Sequence, residues 1–416
     1  MHPNLRRGHD ALWKKFFRPE NNLIYDTAFH DPACLPTPEE IASSIPNCAG
    51  WGTGMEDCTL TGGFVLAGMV AAHRVTGERE WADKARRIFR GLVSLGTISR
   101  TRGYVARGFA PGQTAIYPNS SADQYTSFVF GLWSYAKSAV ATGEERREAA
   151  RLLTDVARLV ESFGGDIPRE DMKPSIYGDT AAITADRACR VLQFYKAAHD
   201  LSGDPHWQDA YAAKVEEDGR ARLACHYGPD EWPANRNVHC VVQSQAAFRL
   251  LYDVETDPVI RETYRKALND EALCVIGRIA RWREIAAGPV RKELPPQWRR
   301  FWPSFIEGRP AYDPSKQPEV AAWFEYCRAH AEDFPPPPDL LAEAGPALPW
   351  LRHQTESLAT AILCEDAGLK RRAAAEAWPM LTEVDWPRVA EAGVWEGLDL
   401  AYWRGVEEGA FPREGN

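Results

Sequence analysis

The 416-residue sequence lacks a run of about 18 apolar residues, and it lacks any long stretch of lysine and arginine. The first absence argues against a transmembrane helix, which needs about 20 such residues. The second absence, together with a net charge of −9, makes nucleic acid a poor partner. The amino-terminal residues also lack the apolar core of a secretion signal. We therefore expect a soluble cytoplasmic protein.

The sequence also lacks the short motifs of several kinds of chemistry. It contains no H-x-x-x-H or H-E-x-x-H metal spacing, no Walker or dinucleotide glycine motif and no G-x-S-x-G nucleophile motif. No C-x-x-C pair occurs, and the nine cysteines are scattered and odd in number, which favours reduced thiols over disulfides. We expect no metal and no cofactor.

Aromatic residues, in contrast, are abundant, with 15 Trp, 14 Tyr and 16 Phe. Their flat apolar faces pack in protein cores, and they also stack on sugar rings. The hydrophobic fraction of 44% and the charged fraction of 26% suit a large globular core. The composition therefore fits a globular protein that binds carbohydrate.

A repeat is visible in the turns. Three short passages, residues 75–78, 141–144 and 201–204, share a glycine followed by Glu or Asp. Glycine suits the left-handed residue that ends a helix, and an acid suits the first turn of the next helix. Two further passages, 255–258 and 364–368, join helical patterns in a similar way. The glycines are roughly 60 residues apart, which predicts a repeat of helical hairpins.

The segment before each turn is apolar nearly all round, and the segment after it is more polar. A helix of the first kind is buried, whereas one of the second kind lies outside it. Inner helices are predicted at about 57–76, 121–141, 180–201, 238–253 and 350–366. Their outer partners are predicted at about 79–95, 144–163, 205–226, 257–285 and 369–378. A sixth pair joins an inner helix at about 395–406 to the amino-terminal segment 4–18.

Six such hairpins in a closed ring predict an all-α fold, an (α/α)₆ toroid, in a single domain that spans residues 1–416. The helical pattern breaks down between about 286 and 349, where Pro and Trp are frequent. We interpret this stretch as an insertion over one face of the ring, because its aromatic residues need burial. The best of the few strand signals, at 103–107, predicts a short hairpin within a loop.

All inner helices of such a ring begin on one face, so residues at their starts converge although they are far apart in sequence. Helix amino ends also attract anions. The candidate catalytic residues at these starts are Asp123, Asp57, Glu56 and His239. The candidate substrate-binding residues are Arg107, Trp51, Tyr117, Gln124, Tyr125, Asp179, Trp232, Asn237, His353 and Trp395. Helix capping explains any one of the acids, but not the histidines and aromatic residues beside them.

The run Asp123-Gln124-Tyr125 opens an apolar helix that continues with Phe130-Gly131-Leu132-Trp133. This passage resembles the second inner-helix motif of the six-hairpin glycosidases, and the nearest group is the unsaturated uronyl hydrolases. The resemblance implies that Asp123 is the general acid/base, with Glu56 or Asp57 as the second carboxylate. Two departures stand out, since Gln124 replaces the usual Asn and Glu56-Asp57 replaces a His-Asp pair.

We therefore expect a glycoside hydrolase that acts on an oligosaccharide bearing a uronic acid. Arg107 is expected to pair with the substrate carboxylate. The acids Glu56 and Asp57 are expected to raise the pKa of Asp123, as a general acid requires. The separation of the two carboxylates would decide between retention and inversion of the anomeric centre.

Three other functions fit the same residues. A sugar 2-epimerase-like isomerase would use His239 and His353, which both lie at inner-helix starts. A polysaccharide lyase would use Tyr125, His239 and Arg107. A barrel without enzymatic activity would only bind carbohydrate or act as a scaffold. The sequence leaves the sugar, the linkage and a homo-oligomeric state open.

Overall fold

A computed structural model gives the structure, and it describes residues 1–26, 35–45, 48–50, 53–175, 177–229, 238–286, 351–390 and 394–412. The insertion predicted at about 286–349 lies outside these residues except for its first position, and it stays a prediction, as does the single domain. The predicted substrate-binding residues Trp51, Trp232 and Asn237 also lie outside the described residues.

The described residues are mainly helical, which confirms the all-α class. Their strands are two short antiparallel pieces, β1 (Phe17–Arg18) and β2 (Leu23–Ile24). The hairpin expected at 103–107 is wrong, because this segment forms no strand. Its backbone amides bond to helices instead, since Val105 N donates to the Tyr125 hydroxyl at 3.0 Å and Ala106 N donates to Leu95 O at 3.1 Å.

The α-helices are numbered along the chain. They are α1 (Pro3–Phe16), α2 (Pro38–Ala42), α3 (Cys58–Thr76), α4 (Arg79–Thr97), α5 (Ala122–Ala136), α6 (Gly143–Ser162), α7 (Ala188–Ser202), α8 (Pro205–Glu216), α9 (Ala221–Ala224), α10 (Val238–Val254), α11 (Pro258–Ile276), α12 (Trp282–Ala286), α13 (Arg352–Ile362), α14 (Ala367–Glu383), α15 (Trp386–Val389) and α16 (Gly397–Glu407). Short 3₁₀ turns occupy Glu217–Arg220 and Ile279–Arg281. Most predicted inner and outer segments therefore match a helix, although α7 begins eight residues after the predicted start at 180.

The predicted inner helices, α3, α5, α7, α10, α13 and α16, are buried on nearly all sides. Along the described stretches, α3 is the one helix long and apolar enough to cross a membrane, and 83% of its apolar window is buried within the protein. A core helix passes the same test of length and composition. The outer helix α4 shows the contrasting pattern, because its buried residues lie along one face.

The inner helices contact one another in succession. Helix α3 packs on α5, α5 on α7, α7 on α10, α10 on α13, α13 on α16, and α16 again on α3. The partners α4, α6, α8, α11 and α14 each pack on the inner helix that precedes them in the chain. Helix α1 joins α16 through a buried contact, in which His9 Nδ1 lies 2.9 Å from Asp399 Oδ2. The order of contacts therefore returns to its starting helix.

Glycine allows α3 to approach its neighbours closely. A Cβ atom on Gly63 would lie 2.1 Å from the backbone oxygen of Ser127 on α5, and one on Gly68 would lie 2.8 Å from the backbone nitrogen of Leu400 on α16. Both contacts are shorter than any side chain allows. These two positions let the inner helices meet backbone to backbone.

The turns that follow the inner helices use the predicted residues. Gly77 and Gly203 end α3 and α7 with φ of +70° in the left-handed region. Gly143 differs from its predicted role, because it is the first residue of α6 behind the capping residue Thr142. Asp257 caps α11 by accepting bonds from two backbone amides. Local turn chemistry thus fixes the hairpins.

Candidate active site

Three inner helices bring Asp123, His239 and Glu356 together. His239 Nε2 on α10 lies 3.1 Å from Asp123 Oδ2 in the first turn of α5. The other ring nitrogen, Nδ1, lies 3.5 Å from Glu356 Oε1 on α13. Asp123 and His239 are each about one-fifth exposed, at 20% and 21% of the side chain. Asp123 and His239 therefore lie side by side at the amino ends of the inner helices α5 and α10.

Two arginines of α7 and the turn before it also contact Asp123. Arg190 Nη1 donates a hydrogen bond to Asp123 Oδ1, and Arg187 Nη1 lies 3.8 Å from the same oxygen. Arg190 is fully buried. Neither arginine was a sequence candidate, because the predicted third inner helix began at 180 and drew attention to Tyr177-Gly178-Asp179 instead.

These cations reverse the expected charge behaviour of Asp123. Burial alone would raise its pKa, but Arg190, His239 and Arg187 together hold the pKa of Asp123 well below its usual range. The expectation that Glu56 and Asp57 raise this pKa is therefore wrong. An ionised carboxylate suits a base or a nucleophile, not a proton donor.

His239 is affected in the opposite direction. Burial lowers the pKa of its imidazole, but the carboxylates of Asp123 and Glu356 outweigh burial and raise the pKa well above the usual value. His353, in the first turn of α13, is partly buried, and burial lowers its pKa. The two histidines named from the sequence thus differ in charge at neutral pH.

Asp57 precedes α3 and is held by side chains from two other segments. Its Oδ1 accepts hydrogen bonds from Gln124 Nε2 at 2.7 Å and from Arg107 Nη2 at 2.9 Å. Its backbone amide donates to Asp26 Oδ2 at 3.1 Å. The Asp57 side chain is 19% exposed. Asp57 is therefore a fixed carboxylate that solvent can still reach.

Arg107 has a different role from the one expected. Its Nε donates to the backbone oxygen of Glu56 at 2.8 Å, its Nη1 to Ser121 Oγ at 3.1 Å and its Nη2 to Asp57. The residue is 5% exposed. All three nitrogens hold the starts of α3 and α5, so the expectation that Arg107 pairs with a substrate carboxylate is wrong.

Gln124 and Tyr125 are also positioning residues and not substrate contacts, because both are fully buried. Gln124 Oε1 accepts from the backbone amide of Leu60 at 3.0 Å while its amide nitrogen holds Asp57. The Tyr125 hydroxyl lies between Val105 N and Gly103 O, at 3.0 and 3.3 Å. Burial raises the pKa of Tyr125, which makes it a poor base for a lyase.

Two expected stacking platforms are core residues. Tyr117 is 3% exposed and its hydroxyl donates to Ile45 O at 2.5 Å. Trp395 is 1% exposed and packs against Phe16 and Trp386, with ring centroids 6.1 and 5.3 Å away. Neither aromatic face is open to a sugar ring, so both assignments to substrate binding are wrong.

The remaining sequence candidates, Glu56 and Asp179, are more accessible. Glu56 is partly buried, and Thr53 Oγ1 donates to its Oε2 at 3.5 Å. The Asp179 side chain is 61% exposed, and its Oδ1 lies 3.3 Å from Arg187 Nε. Asp179 therefore pairs with a cation that also approaches Asp123.

Arg352 and two glutamates form a buried cluster, and none of the three was among the predicted site residues. Arg352 Nε lies 3.1 Å from Glu356 Oε1 and 2.8 Å from Glu396 Oε1. Its Nη2 also approaches Asp57 Oδ2 at 3.7 Å. Arg352 thereby connects the Asp57 half of the site to the His239 half. Their positions in the sequence could have identified two of these residues, because Arg352 and Glu396 lie at predicted starts of inner helices.

The carboxyl groups of this cluster differ in pKa. Burial raises the pKa of Glu396 to about 7, against the opposing charge of Arg352. Glu356 is equally buried, but His239 and Arg352 lower its pKa. Asp26 accepts hydrogen bonds from Asp57 N and from Thr61 Oγ1 on α3. Its pKa lies well above the usual value because burial and the charge of Asp57 both raise it.

Helix capping does not account for these acids. The residues that precede α3, α5, α7, α13 and α16 make no side-chain capping hydrogen bond. Outer helices differ, since Thr142, Asp204, Asp257 and Asp366 each cap one. The acids at the inner starts bond instead to arginines and to His239, most of which belong to other segments of the chain.

No family model, curated protein or solved structure matches the chain.

Proposed function

We propose that the chain folds as an (α/α)₆ toroid and that it is a glycoside hydrolase acting on an oligosaccharide that contains a uronic acid. The observation that carries the proposal is the Asp123 carboxylate. It is partly exposed, and Arg190 and His239 from two other inner helices fix its two oxygens. Glycoside hydrolysis uses a pair of carboxyl groups on the two sides of the scissile bond.

Asp123 is the base or nucleophile in this proposal, because its two cationic neighbours favour the carboxylate form. Asp57 is held in a fixed orientation by Gln124 and Arg107, and Glu56 precedes it in the chain. We assign the proton donor to Glu56 or Asp57. Retention of the anomeric configuration would make Asp123 the nucleophile, and inversion would make it the base for water.

Arg187 takes over the recognition of the substrate carboxylate that sequence analysis assigned to Arg107. Its Nη1 is buried without a hydrogen-bond partner among the residues described, 3.8 Å from Asp123, and departure of Asp179 would open this side of the guanidinium. A guanidinium can bind a carboxylate through two parallel hydrogen bonds. The exposed Asp179 that now pairs with Arg187 would be displaced by the sugar carboxylate.

The test is a screen of chromogenic uronyl glycosides and of lyase-generated unsaturated oligosaccharides. With any substrate that is turned over, Asp123→Asn is expected to lower kcat/KM by about 100-fold or more. The matched control is Asp200→Asn. Asp200 lies near the carboxyl end of α7, far along this helix from Arg190, and it pairs with Lys137 and Trp133. Equal activity of wild type and Asp123→Asn would reject the proposed role.

A second candidate is a sugar isomerase, favoured by the placement of the two histidines. His239 and His353 start successive inner helices, and both are influenced by the charge of Glu356. A pair of this kind could move a proton at a carbon next to a carbonyl. Incubation of free sugars in D₂O would distinguish the two functions, because an isomerase incorporates deuterium at carbon and releases no second sugar.

A further inference from the structure

Three side chains from three inner helices approach one another beside Asp123. His239, Glu356 and Glu396 each offer one nitrogen or oxygen atom, and these three atoms lie within 4.8 Å of one another. Both glutamates are 1% exposed. One imidazole and two carboxylates are thus gathered at a single buried point.

Each of the two glutamates has one oxygen that no described residue satisfies. Oε2 of Glu356 and Oε2 of Glu396 are buried without a hydrogen-bond partner in the part of the chain that the structure describes. The hydrogen bonds from Arg352 reach the Oε1 atoms of both residues. A buried carboxylate oxygen is unfavourable unless a donor or a cation satisfies it. Two oxygens of the cluster therefore have no hydrogen-bond donor among the described residues.

The surroundings of His239 also fit a metal ligand. Its Nδ1 lies 3.5 Å from Glu356 Oε1, which is long for a hydrogen bond. Two ligands bound about 2.1 Å from one tetrahedral ion are about 3.4 Å apart. Its Nε2 faces Asp123 at 3.1 Å, and metal-bound histidines typically pair their second nitrogen with a carboxylate in this way.

We propose that His239, Glu356 and Glu396 bind one divalent transition-metal ion of the zinc class, with Asp123 orienting the imidazole. One nitrogen and two carboxylate ligands suit zinc, and three protein ligands leave a coordination position for water or a sugar hydroxyl. The site goes beyond the proposed hydrolase and does not depend on it. It also replaces the expectation of no metal, which rested on local spacings that ligands from three separate helices do not have.

The charge balance allows a divalent ion beside Arg352. Three carboxylates, those of Asp123, Glu356 and Glu396, face three guanidiniums, those of Arg187, Arg190 and Arg352, and the ion would displace the proton of the His239 imidazole. Asp57, 3.7 Å from Arg352, and Asp179, 3.3 Å from Arg187, add two further carboxylates to these surroundings. The alternative is that Arg352 alone serves as the cation of this cluster. The two alternatives predict different results when metal is added.

The direct test is calorimetric titration of the EDTA-treated full chain with ZnCl₂. We expect one ion per chain, bound nearly stoichiometrically at micromolar protein, and a higher thermal unfolding midpoint with the ion than without it. Because the chain has nine cysteines, CoCl₂ is used as a spectroscopic probe of the ligands. The site predicts visible cobalt bands without sulfur-to-cobalt charge-transfer absorption.

Variants locate the ion. Glu356→Gln and Glu396→Gln are each expected to weaken binding more than tenfold. Asp123→Asn leaves the three ligands in place and should weaken binding by about 10- to 100-fold through the loss of imidazole orientation. The matched control is Glu271→Gln, because Glu271 is equally buried with an unbonded oxygen but lies outside the cluster. Its affinity for Zn²⁺ should equal that of the wild type.

Three results would overturn the inference. The first is that the wild type takes up no ion, which would make Arg352 the cation of the cluster. The second is that binding is as strong in Glu356→Gln and Glu396→Gln as in the Glu271→Gln control. The third is that the cobalt complex shows the sulfur band, which would assign the ion to cysteines. If the glutamate variants do not fold, the wild-type stoichiometry, the cobalt spectrum and Asp123→Asn decide the question.

Discussion

The two ends of the inner helices are built differently. At the carboxyl ends, Gly77 and Gly203 close α3 and α7, and Asp204 caps the start of α8. A cavity of about 150 Å³ lies among these ends, and the buried Arg249 in its wall bonds to Asp253 and Glu365. At the amino ends, the starts of α3, α5, α7, α13 and α16 lack side-chain caps, and carboxylates from different helices surround His239.

The difference separates residues that make the fold from residues that make a site. At the carboxyl ends, glycine turns satisfy backbone groups locally, and long-range side-chain pairs such as Arg249 with Glu365 accompany them. At the described amino ends of the inner helices, side-chain capping is absent and the acids bond to distant side chains instead, as in the contact of Asp123 with His239. Local rules that fail at one end of otherwise regular helices typically mark a functional site.

The largest expected effect comes from Arg352, which connects both halves of the amino-end site. Arg352→Met should lower the free energy of unfolding by about 3–5 kcal/mol in EDTA, because it leaves Glu356 and Glu396 without their internal cation. The comparison is Arg404→Met near the carboxyl ends, where the more exposed ion pairs with Glu407 and Glu408 contribute about 1 kcal/mol or less. Urea unfolding measures both. Equal losses would remove the distinction between the two ends.

The next prediction compares Gly63, within α3, with Gly77, which ends this helix. Gly63→Ala should destabilise the protein by about 3 kcal/mol, because the new Cβ would clash with the Ser127 backbone and force α3 and α5 apart. Gly77→Ala meets no atom within 4 Å and costs only the strain of its φ of +70°, about 1 kcal/mol. The thermal unfolding midpoints of the two variants test this difference. A smaller loss for Gly63→Ala would contradict the close approach of the helices.

Glu271 and Glu365 should make the free energy of unfolding depend on pH in opposite directions. Burial raises the pKa of Glu271 well above its usual value, so its contribution to stability is present at low pH and is lost as pH rises through the folded-state pKa. Burial also acts on Glu365, but Arg249 lowers its pKa, so its contribution is present at neutral pH and is lost as pH falls through the folded-state pKa.

Unfolding free energies from pH 3 to pH 9 test this contrast. Relative to the wild type, Glu271→Gln should gain stability as pH rises above about 4.3, the ordinary value for glutamate. Glu365→Gln should be less stable than the wild type at neutral pH, and the difference should shrink below about pH 4. Parallel pH profiles for the two variants would contradict the assigned environments.

The smallest expected effects compare a helix cap, Asp257, with a residue that organises the site, Ser121. Asp257→Ala removes the cap of α11 and should cost about 1 kcal/mol of stability, with the activity of the folded protein unchanged. Ser121→Ala removes no cap, but it removes the hydroxyl that accepts a bond from Arg107. It should lower activity more than stability. The reverse pattern would mean that Ser121 acts as an ordinary helix cap.

The sequence predicted the helices better than the contacts between them. Periodicity and turn residues placed α3 and α10 within one residue of their observed ends, because apolar pattern and caps are local signals. The start of α7 was misplaced because the run Ala181-Ala182-Ile183 looks helical, although it lies in turns. That error hid Arg187 and Arg190.

The individual roles at the site could not be predicted because they depend on which partner lies opposite each side chain. Arg107 and Gln124 have the chemistry to bind a sugar, but both are used to hold Asp57. Trp395 has the chemistry of a stacking platform, but Trp386 and Phe16 cover its ring. The sequence pointed to some of the residues near this face, such as Asp123 and His239, and only three-dimensional packing showed which candidates stay accessible.

The central claim is that residues from three inner helices share one site around His239. Its most direct test is the ring ¹⁵N NMR signal of His239 at fixed pH, assigned by its loss in His239→Gln. Both Asp123→Asn and Glu356→Gln should shift this signal, because the substituted carboxyls lie next to opposite ring nitrogens, whereas Asp257→Ala should leave it in place. A His239 signal that neither carboxyl substitution moves would contradict the convergence of these helices.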